Sequence, residues 1–483
     1  MGISFGTEGW RGVIAEEFTF ENVRKFSRGV ANWLYWPKRG ELEVYREGGS
    51  RCLPPSSGVA VSYDTRFMSD RFAAVAASEL AACGIPVFLS SSFLTSPSLC
   101  DYVVRRGLSA GIMITASHNS PEYNGIKFKA EYGGSAVPGI ICGIERMIGS
   151  GLSCIPEGVR AAGISKFSNS SDFASSIASM VDMERIANSR FKVIIDPIYG
   201  SASGVLDRIF RSAGLFADEI RSERNPLFGG YSPVPSVNNI APLTEKVLKT
   251  GASVGIAFDG DGDTVGIVDS YGGFLQSYDV FAIVLRHLVE NRGMRGGVAA
   301  AFSTSGIIRR MAERYGLPFH ETPVGFRHIT DLMLRDDILI GGEESGGIGV
   351  KGSIPDKNGP LAALLVLEAM AVSGKSLYEL KDEIISEFGE LCLHRTDIKF
   401  TSNEEKEVVI ENLHRALPKS FCGLRISEMA ALDGIKCFLE DGSWILFRPS
   451  GTEPLFRIYA ESDGHKKAYA LLNECESFIK KIL

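Results

Sequence analysis

From residue 58 onward, short apolar runs alternate with longer stretches in which apolar positions recur at helical spacing. GVAVSY reads as a strand, and SDRFAAVAASELAACG as a helix with Ser69 as its N-cap and Gly84 as its stop. IPVFLS predicts a strand, SPSLCDYVVRRG a helix and SAGIMI another strand. Strands that are apolar throughout, set between amphipathic helices, indicate a mainly parallel sheet covered on both faces. The polar, turn-rich stretch 37–57 predicts a surface excursion before the strand GVAVSY. A Gly/Ser-rich stretch over 149–176 marks a first boundary. A second α/β unit begins at FKVIID, and a third at SVGIAF, running through GGVAAAF and DILIGG.

The helix NGPLAALLVLEAMAVSG leads to a last boundary near 375. Beyond it the pattern changes to strand-like CLHRTDIKF, a helix from about 403, the strands WILFR and LFRIYAE, and a closing helix. That is an α+β unit. The expected organisation is three mixed α/β sheet domains over 1–150, 151–250 and 251–375, with a smaller C-terminal α+β domain over 376–483.

Composition is that of a globular chain large enough to bury its core: 483 residues, 45% hydrophobic and 23% charged. A net charge of −7 argues against a general nucleic-acid or membrane-surface binder, though not against an anionic substrate held by local basic residues. The nine cysteines form no CxxC pair and have no metal-like spacing, so buried free thiols in a reducing cytoplasm are expected. MGISFGTEGWRG has no basic-then-apolar leader pattern, and Gly6 stands where myristoylation requires a hydroxyl residue. No apolar run reaches the ~18 residues a membrane helix needs. A cytoplasmic protein with no membrane partner is the expectation.

The candidate chemistry lies where strands end. TASHNS follows the strand AGIMI and so sits at a strand's carboxyl end, where open α/β sheets place ligands. It presents an expected exposed serine, Ser117, beside His118. A Ser–His hydrolase pair is disfavoured: neighbours on an extended strand face opposite ways, and the G-x-S-x-G elbow is absent. AFDGDGDTVGIVD carries Asp259, Asp261 and Asp263, separated by single glycines after a strand. Such a loop can wrap one hard cation. Ser270 stands where an EF-hand needs glutamate, so Mg²⁺ is favoured, and with it a phosphate partner.

FRPSGTEPLFRIYAES places Arg448, Ser450, Gly451, Thr452 and Arg457 around a turn between strands, a set suited to a phosphate dianion. GGEESGG puts Glu343 and Ser345 on a glycine-rich loop that suits sugar hydroxyls, or is only a solvated acidic loop. Arg11 lies in a glycine-rich turn, and Lys127 in NGIKFK could move a proton, neutralise charge or be a surface lysine.

In combination and in this order, FGTEGWRG, TASHNS, DGDGD, GGEESGG and RPSGTEP resemble the α-D-phosphohexomutase family, in its phosphoglucomutase/phosphomannomutase branch, over essentially the whole chain. The resemblance implies four domains around a central cleft. It implies Ser117 as the phosphoserine, with Asp259, Asp261 and Asp263 holding Mg²⁺ together with the serine phosphate. Glu343 and Ser345 would grip sugar hydroxyls. Arg448, Ser450, Gly451, Thr452 and Arg457 would hold the phosphate that is not reacting. Arg11, His118 and Lys127 would flank the reacting group, with Lys127 the better candidate for proton transfer.

The implied activity interconverts hexose 1- and 6-phosphates of glucose or mannose through a hexose 1,6-bisphosphate. A glucosamine substrate is disfavoured, because that branch carries glutamine where this chain has Glu344. Two positions depart from the family pattern. Thr264 replaces an arginine after the metal loop, and Ala300 falls where a lysine is expected. Arg327 or His328 in TPVGFRH is expected to compensate. A sugar phosphatase and a phosphosugar-binding regulator are the alternative functions.

Overall fold

The alternation of apolar runs and amphipathic segments resolves into four sheets that follow one another along the chain. In this computed structural model, residues 3–6, 8–36, 53–151, 153, 155–450 and 455–482 are described. The expected excursion over 37–57 therefore lies largely outside the described residues.

The first sheet contains β1 (Trp10–Val13), β2 (Val59–Tyr63), β3 (Val87–Ser90), β4 (Ala110–Ile114), β5 (Tyr123–Ala130) and β6 (Ile164–Phe167), in the spatial order β1-β5-β4-β2-β3-β6. The strands β4, β2, β3 and β6 run parallel, whereas β5 is antiparallel to both β4 and β1. The sequence did not signal β5, because Lys127 and Lys129 break its apolar pattern although both are buried. The helix expected to be capped by Ser69 instead begins at it, with Met68 left-handed (φ 58°) as the cap residue. The Ser69 hydroxyl is used elsewhere, donating to Asp64 Oδ1 at 2.8 Å.

The second sheet comprises β7 (Val193–Asp196), β8 (Ala217–Glu219), β9 (Val254–Phe258), β10 (Val265–Asp269) and β11 (Phe274–Leu275), ordered β11-β10-β9-β7-β8. The third holds β12 (Gly297–Ala301), β13 (Phe319–Thr322), β14 (Ile338–Gly342) and β15 (Ile348–Val350), ordered β13-β12-β14-β15. The fourth is antiparallel, with β16 (Cys392–Lys399), β17 (Ser420–Phe421), β18 (Leu424–Ala430), β19 (Ile435–Leu439), β20 (Trp444–Pro449) and β21 (Leu455–Ser462) ordered β16-β21-β20-β19-β18-β17.

Three boundaries move from their sequence positions. β6 lies past residue 150 yet pairs with β3 in the first sheet. The 250/251 boundary falls inside the second sheet, because β9 pairs in parallel with β7, so the three-aspartate loop closes the second unit rather than opening the third. The helix Leu377–Phe388 buries Leu377, Leu380 and Ile384 in the core shared by the second and third sheets, which moves the last boundary from 375 to the segment before β16. A turn signal near 375 is real, but it joins two helices of one unit: Gly374 ends the first (φ 68°) and Ser376 caps the second. Among the described cysteines five are buried, whereas Cys142 and Cys422 are exposed, against the expectation that all are buried. No single helix is long and apolar enough to cross a membrane among the described residues.

The fourth unit docks on the third through a few desolvated polar contacts. Both Glu461 oxygens accept from Gly306 N (3.0 and 3.1 Å), and Trp444 Nε1 donates to Glu461 Oε1 at 2.6 Å. Lys436 Nζ donates to Phe302 O at 2.9 Å and lies 4.1 Å from the Trp444 ring centroid. Removing the Glu461 carboxylate strands buried donors at about 1–3 kcal/mol. Glu461→Ala should therefore loosen the fourth unit. Limited digestion with a glutamate-specific endoprotease should cut after Glu390 faster than in wild type, while the first sheet unfolds at an unchanged temperature.

Candidate active site

Ser117 follows β4 on a turn, not on an extended strand. It has φ +52°, a left-handed conformation that a non-glycine residue adopts only when its surroundings impose it. Those surroundings are visible. Ser117 N donates to Thr115 Oγ1 at 2.8 Å, and Ser117 O accepts from Arg66 at 2.6 Å. The buried Arg66 guanidinium also donates to the carbonyls of Asn119 (2.6 Å), Ser120 (2.9 Å) and Tyr123 (3.1 Å). Asp64, at 3.1 Å from Arg66, accepts from Thr115 and Ser69 as well. One buried ion pair thus shapes the whole TASHNS turn. The sequence reading missed Asp64 and Arg66, which sit at the end of β2 and carry no motif of their own.

Ser117 is buried (1% exposed), not exposed as expected, whereas His118 is open to the cleft. The two side chains do part, through the left-handed turn rather than through strand alternation. Desolvation in the cleft and the cations Arg11, Lys357 and Lys127 hold the His118 imidazole neutral, well below its usual range. Arg11 donates to Asn119 Oδ1 at 2.5 Å and so reaches this turn from β1.

The loop between β9 and β10 meets the serine directly. Ser117 Oγ donates to Asp259 Oδ2 at 2.7 Å. A Cβ at Gly260 would strike Ser117 O, so this approach needs glycine. Asp259, Asp261 and Asp263 are all buried, and one oxygen from each lies within 4.8 Å of the others. Asp261 accepts from Ser96 Oγ through Oδ2, whereas its buried Oδ1 has no hydrogen-bond partner among the described residues. Burial and the neighbouring Asp263 and Asp261 carboxylates push Asp259 well above the usual carboxylate range. For Asp263, burial is overcome by Lys127 and Lys357, which hold it well below that range. An orphaned oxygen and crowded hard donors fit a divalent cation.

Lys127 is buried on β5, with Nζ 2.7 Å from both Asp261 Oδ2 and Asp263 Oδ2 and 3.5 Å from Glu8 Oε2. These carboxylates outweigh its burial and keep it firmly protonated. A second buried ammonium, Lys357, pairs with Glu8 Oε1 and lies 3.4 Å from Asp263 and 3.9 Å from Glu343. Neither Glu8 nor Lys357 was singled out from sequence. Lone charged residues in loops read as solvated until the fold buries them. Burial opposes Glu8 ionisation, yet Lys357 and Lys127 hold its carboxyl down at about 2.

The loop between β14 and β15 carries Glu343, Glu344 and Ser345. Thr264 forms an antiparallel bridge with Gly347, so the aspartate loop and this loop lie side by side. Glu343 Oε1 accepts from Gly325 N at 2.9 Å, and burial pushes its carboxyl up to about 8 against the pull of Lys357. Ser345 is exposed. Glu344 turns toward the fourth unit, accepting from Ser303 Oγ (2.7 Å) and Tyr459 OH (3.1 Å).

Thr264 N and Oγ1 bond to Asp259 and Asp263, both at 3.1 Å, so the threonine braces the loop it follows. Ala300, on β12, is buried in the apolar core, and a lysine at 300 would be directed into that core. Arg327 donates to Gly6 O at 3.1 Å, and burial beside it lowers His328 to about 4.

At the stem of the β20–β21 turn, Arg448 and Arg457 are direct cross-strand partners. Two guanidiniums on one face of a hairpin repel unless an anion joins them. Arg448 Nε donates to Asp433 at 2.9 Å, while its buried Nη1 has no hydrogen-bond partner among the described residues. Ser450 O accepts from Lys406 Nζ at 2.9 Å. Gly451 and Thr452 lie outside the described residues.

Four domain families match the chain: "Phosphoglucomutase/phosphomannomutase, alpha/beta/alpha domain I" over residues 2–152, domain II over 171–272, domain III over 276–388, and the C-terminal domain over 404–476. A probable phosphoglucosamine mutase of Methanopyrus kandleri is 29% identical, with 100% of this chain and 98% of that protein covered. A phosphoglucomutase/phosphomannomutase of Thermococcus kodakarensis is 28% identical over 97% of this chain and 96% of its own. The crystal structure of a putative phosphomannomutase from Thermus thermophilus superposes with a TM-score of 0.82 at 30% identity, covering 99% of both chains. Domain matches in register along the chain, over the same four sheets, leave one reading of its ancestry: the chain belongs to the α-D-phosphohexomutase family of intramolecular phosphotransferases.

Proposed function

We propose that this chain interconverts the 1- and 6-phosphates of a hexose, glucose or mannose, through a phosphoserine at Ser117 and a hexose 1,6-bisphosphate that turns over in the cleft. The observation that carries this reading is the 2.7 Å contact of Ser117 Oγ with Asp259, in a buried triad with an orphaned oxygen. Asp259, Asp261 and Asp263, with the serine phosphate, would hold Mg²⁺. When bound, the ion supplies charge neutralisation at a phosphoryl group carrying about −1.5 to −2.

The chain's own residues do the rest. The Asp64–Arg66 pair fixes the serine turn so that Oγ faces the triad. Lys127, protonated between Asp261 and Asp263, balances charge and can give a proton to the departing serine oxygen. Arg11 and His118 border the reacting group from the cleft side. Glu343, backed by Gly325 N, accepts from sugar hydroxyls, with Ser345 beside it. Arg448, Ser450 and Arg457, with Gly451 and Thr452, hold the far phosphate, which contributes uniform binding and orientation.

Curated relatives called phosphoglucosamine mutases favour a second reading, an amino sugar at the same site. Glu344 supports the first reading only indirectly, since it bonds to Ser303 and Tyr459. A coupled mutase assay on glucose, mannose and glucosamine phosphates, primed with hexose 1,6-bisphosphate, separates these readings. Release of free phosphate would instead indicate a phosphatase, and binding without turnover a regulator.

Ser117→Ala should lose more than about a thousandfold in kcat while keeping the wild-type circular dichroism spectrum, and phosphopeptide mapping of wild type should place the phosphate on Ser117. Full activity in that variant would sink the proposal. EDTA should abolish turnover and Mg²⁺ restore it, while Asp261→Asn should raise the half-saturating Mg²⁺ concentration. Arg448→Ala removes a charged hydrogen bond common to ground and transition states, so KM should rise roughly ten- to hundredfold with kcat little changed.

A further inference from the structure

Away from the cleft, the fold gathers a second set of metal-ligating side chains of a different chemical kind. Glu390, Cys392 and His465 each bring one ligand atom, a carboxylate oxygen, a thiol sulfur and a ring nitrogen, within 4.8 Å of one another. The aspartate loop offers only oxygens, which suit hard cations. A thiol beside an imidazole suits softer ions such as Zn²⁺. We propose that Glu390, Cys392 and His465 form a Zn²⁺ site that fastens the passage between the third and fourth units to the closing helix. The site shares no residue with the mutase reading and does not rest on it.

Strand alternation puts the ligands on one face. On β16, Leu393 packs with Phe302, Trp444 and Tyr459 and so faces the third unit. Cys392 and His394, one position before and one after it, point the other way, toward the helix His465–Ile482. His394 stacks on Tyr469 of that helix, with ring centroids 4.1 Å apart and 25° between the planes. His465 opens the helix just after β21, whose Ser462 is the register partner of Cys392. Cysteine spacing does not announce this site, because only the pairing of β16 with β21 sets the imidazole beside the thiol.

The surroundings suit ligation. Cys392 is a free thiol, 3% exposed, with the exposed Glu390 and His465 beside it. His394 Nε2 and His465 Nδ1 lie 2.8 Å apart. A hydrogen bond between two neutral rings needs one donor. When His465 donates through Nδ1, its Nε2 keeps a lone pair for a metal. His394 is then the outer partner that orients a ligating imidazole. Binding exchanges a proton for a metal bond. The Cys392 Sγ–H bond breaks, the proton goes to solvent, and the thiolate gives an electron pair to Zn²⁺. Glu390 and His465 complete three protein ligands and leave a fourth position for water. Glu390 lies in the passage between the helix Leu377–Phe388 and β16. Its ligation pins to the fourth unit the segment on which any shift of that unit turns.

The test uses the full chain without a histidine tag, in excess Mg²⁺ so that the aspartate loop is already supplied. Co²⁺ serves as the coloured stand-in for Zn²⁺. Wild type should bind Co²⁺ with a thiolate-to-metal charge-transfer band that Zn²⁺ abolishes by displacement. Zn²⁺ calorimetry in buffers of different ionisation enthalpy should show about one proton released. Cys392→Ser should lose the band, whereas Asp261→Asn should keep it. His465→Asn, at an exposed position where folding is not at stake, should weaken Zn²⁺ binding at least about tenfold. His394→Phe keeps a ring on Tyr469 and loses only the nitrogens, and should weaken binding about tenfold. Zn²⁺ should also slow glutamate-specific cleavage after Glu390 in wild type and leave it unchanged in His465→Asn. No band in wild type, a band that survives Cys392→Ser, or a Zn²⁺ affinity unmoved by both histidine variants would overturn the proposal. None of these readouts needs turnover, so an enzyme inactive on every hexose phosphate would refute the mutase reading and still leave the Zn²⁺ site tested.

Discussion

Repulsion among buried carboxylates is the constraint around which this protein is organised. Glu8, Asp259, Asp261, Asp263 and Glu343 converge with little access to water, opposed by two buried ammonium groups, Lys127 and Lys357. Burying one ionised carboxylate costs several kcal/mol unless it is paired; Lys127 and Lys357 hold Glu8 and Asp263 low, whereas burial pushes Glu343 up to about 8. Burial and the neighbouring carboxylates leave Asp259 far above its usual range, and one oxygen of Asp261 has no partner among the described residues. Such a set of crowded hard donors fits a divalent cation.

The same constraint joins the units. The carboxylates and cations come from different sheets: Lys127 from β5 of the first, the aspartates from the β9–β10 hairpin of the second, Glu343 and Lys357 from the loops flanking β15 of the third. Charge pairing within the site is therefore also pairing between units. The second and third units share one apolar core, so the aspartate and glutamate loops keep their relative positions. The fourth unit differs. Its contacts with the third are mainly Glu461 on Gly306, Lys436 on Phe302, Asp433 on Val324 and the aromatic cluster around Trp444. A unit held by contacts of this kind can shift as a body.

Much of the site was legible in the chain because each motif is local. DGDGD must be a tight loop of hard donors, and GGEESGG and RPSGTEP must be turns between strands. These follow from glycine spacing and apolar flanks within a dozen residues. The strands that were recognised are those with uninterrupted apolar runs. β5 was not, since two lysines buried by ion pairs look the same in sequence as two lysines in water.

Sequence alone determined the element types, the order of four α/β and α+β units, the chemistry offered by each loop and the family resemblance. Tertiary structure decided which unit each loop belongs to, because strand pairing between residues 193 and 254 is not encoded in either segment by itself. It also decided that Ser117 is buried and left-handed, and that Glu344 faces Tyr459. It also brought Lys357, 93 positions along the chain from Thr264, to 3.4 Å from Asp263. The reason is physical. Electrostatic compensation and steric clearance depend on distance in space, and a single sequence records only distance along the chain.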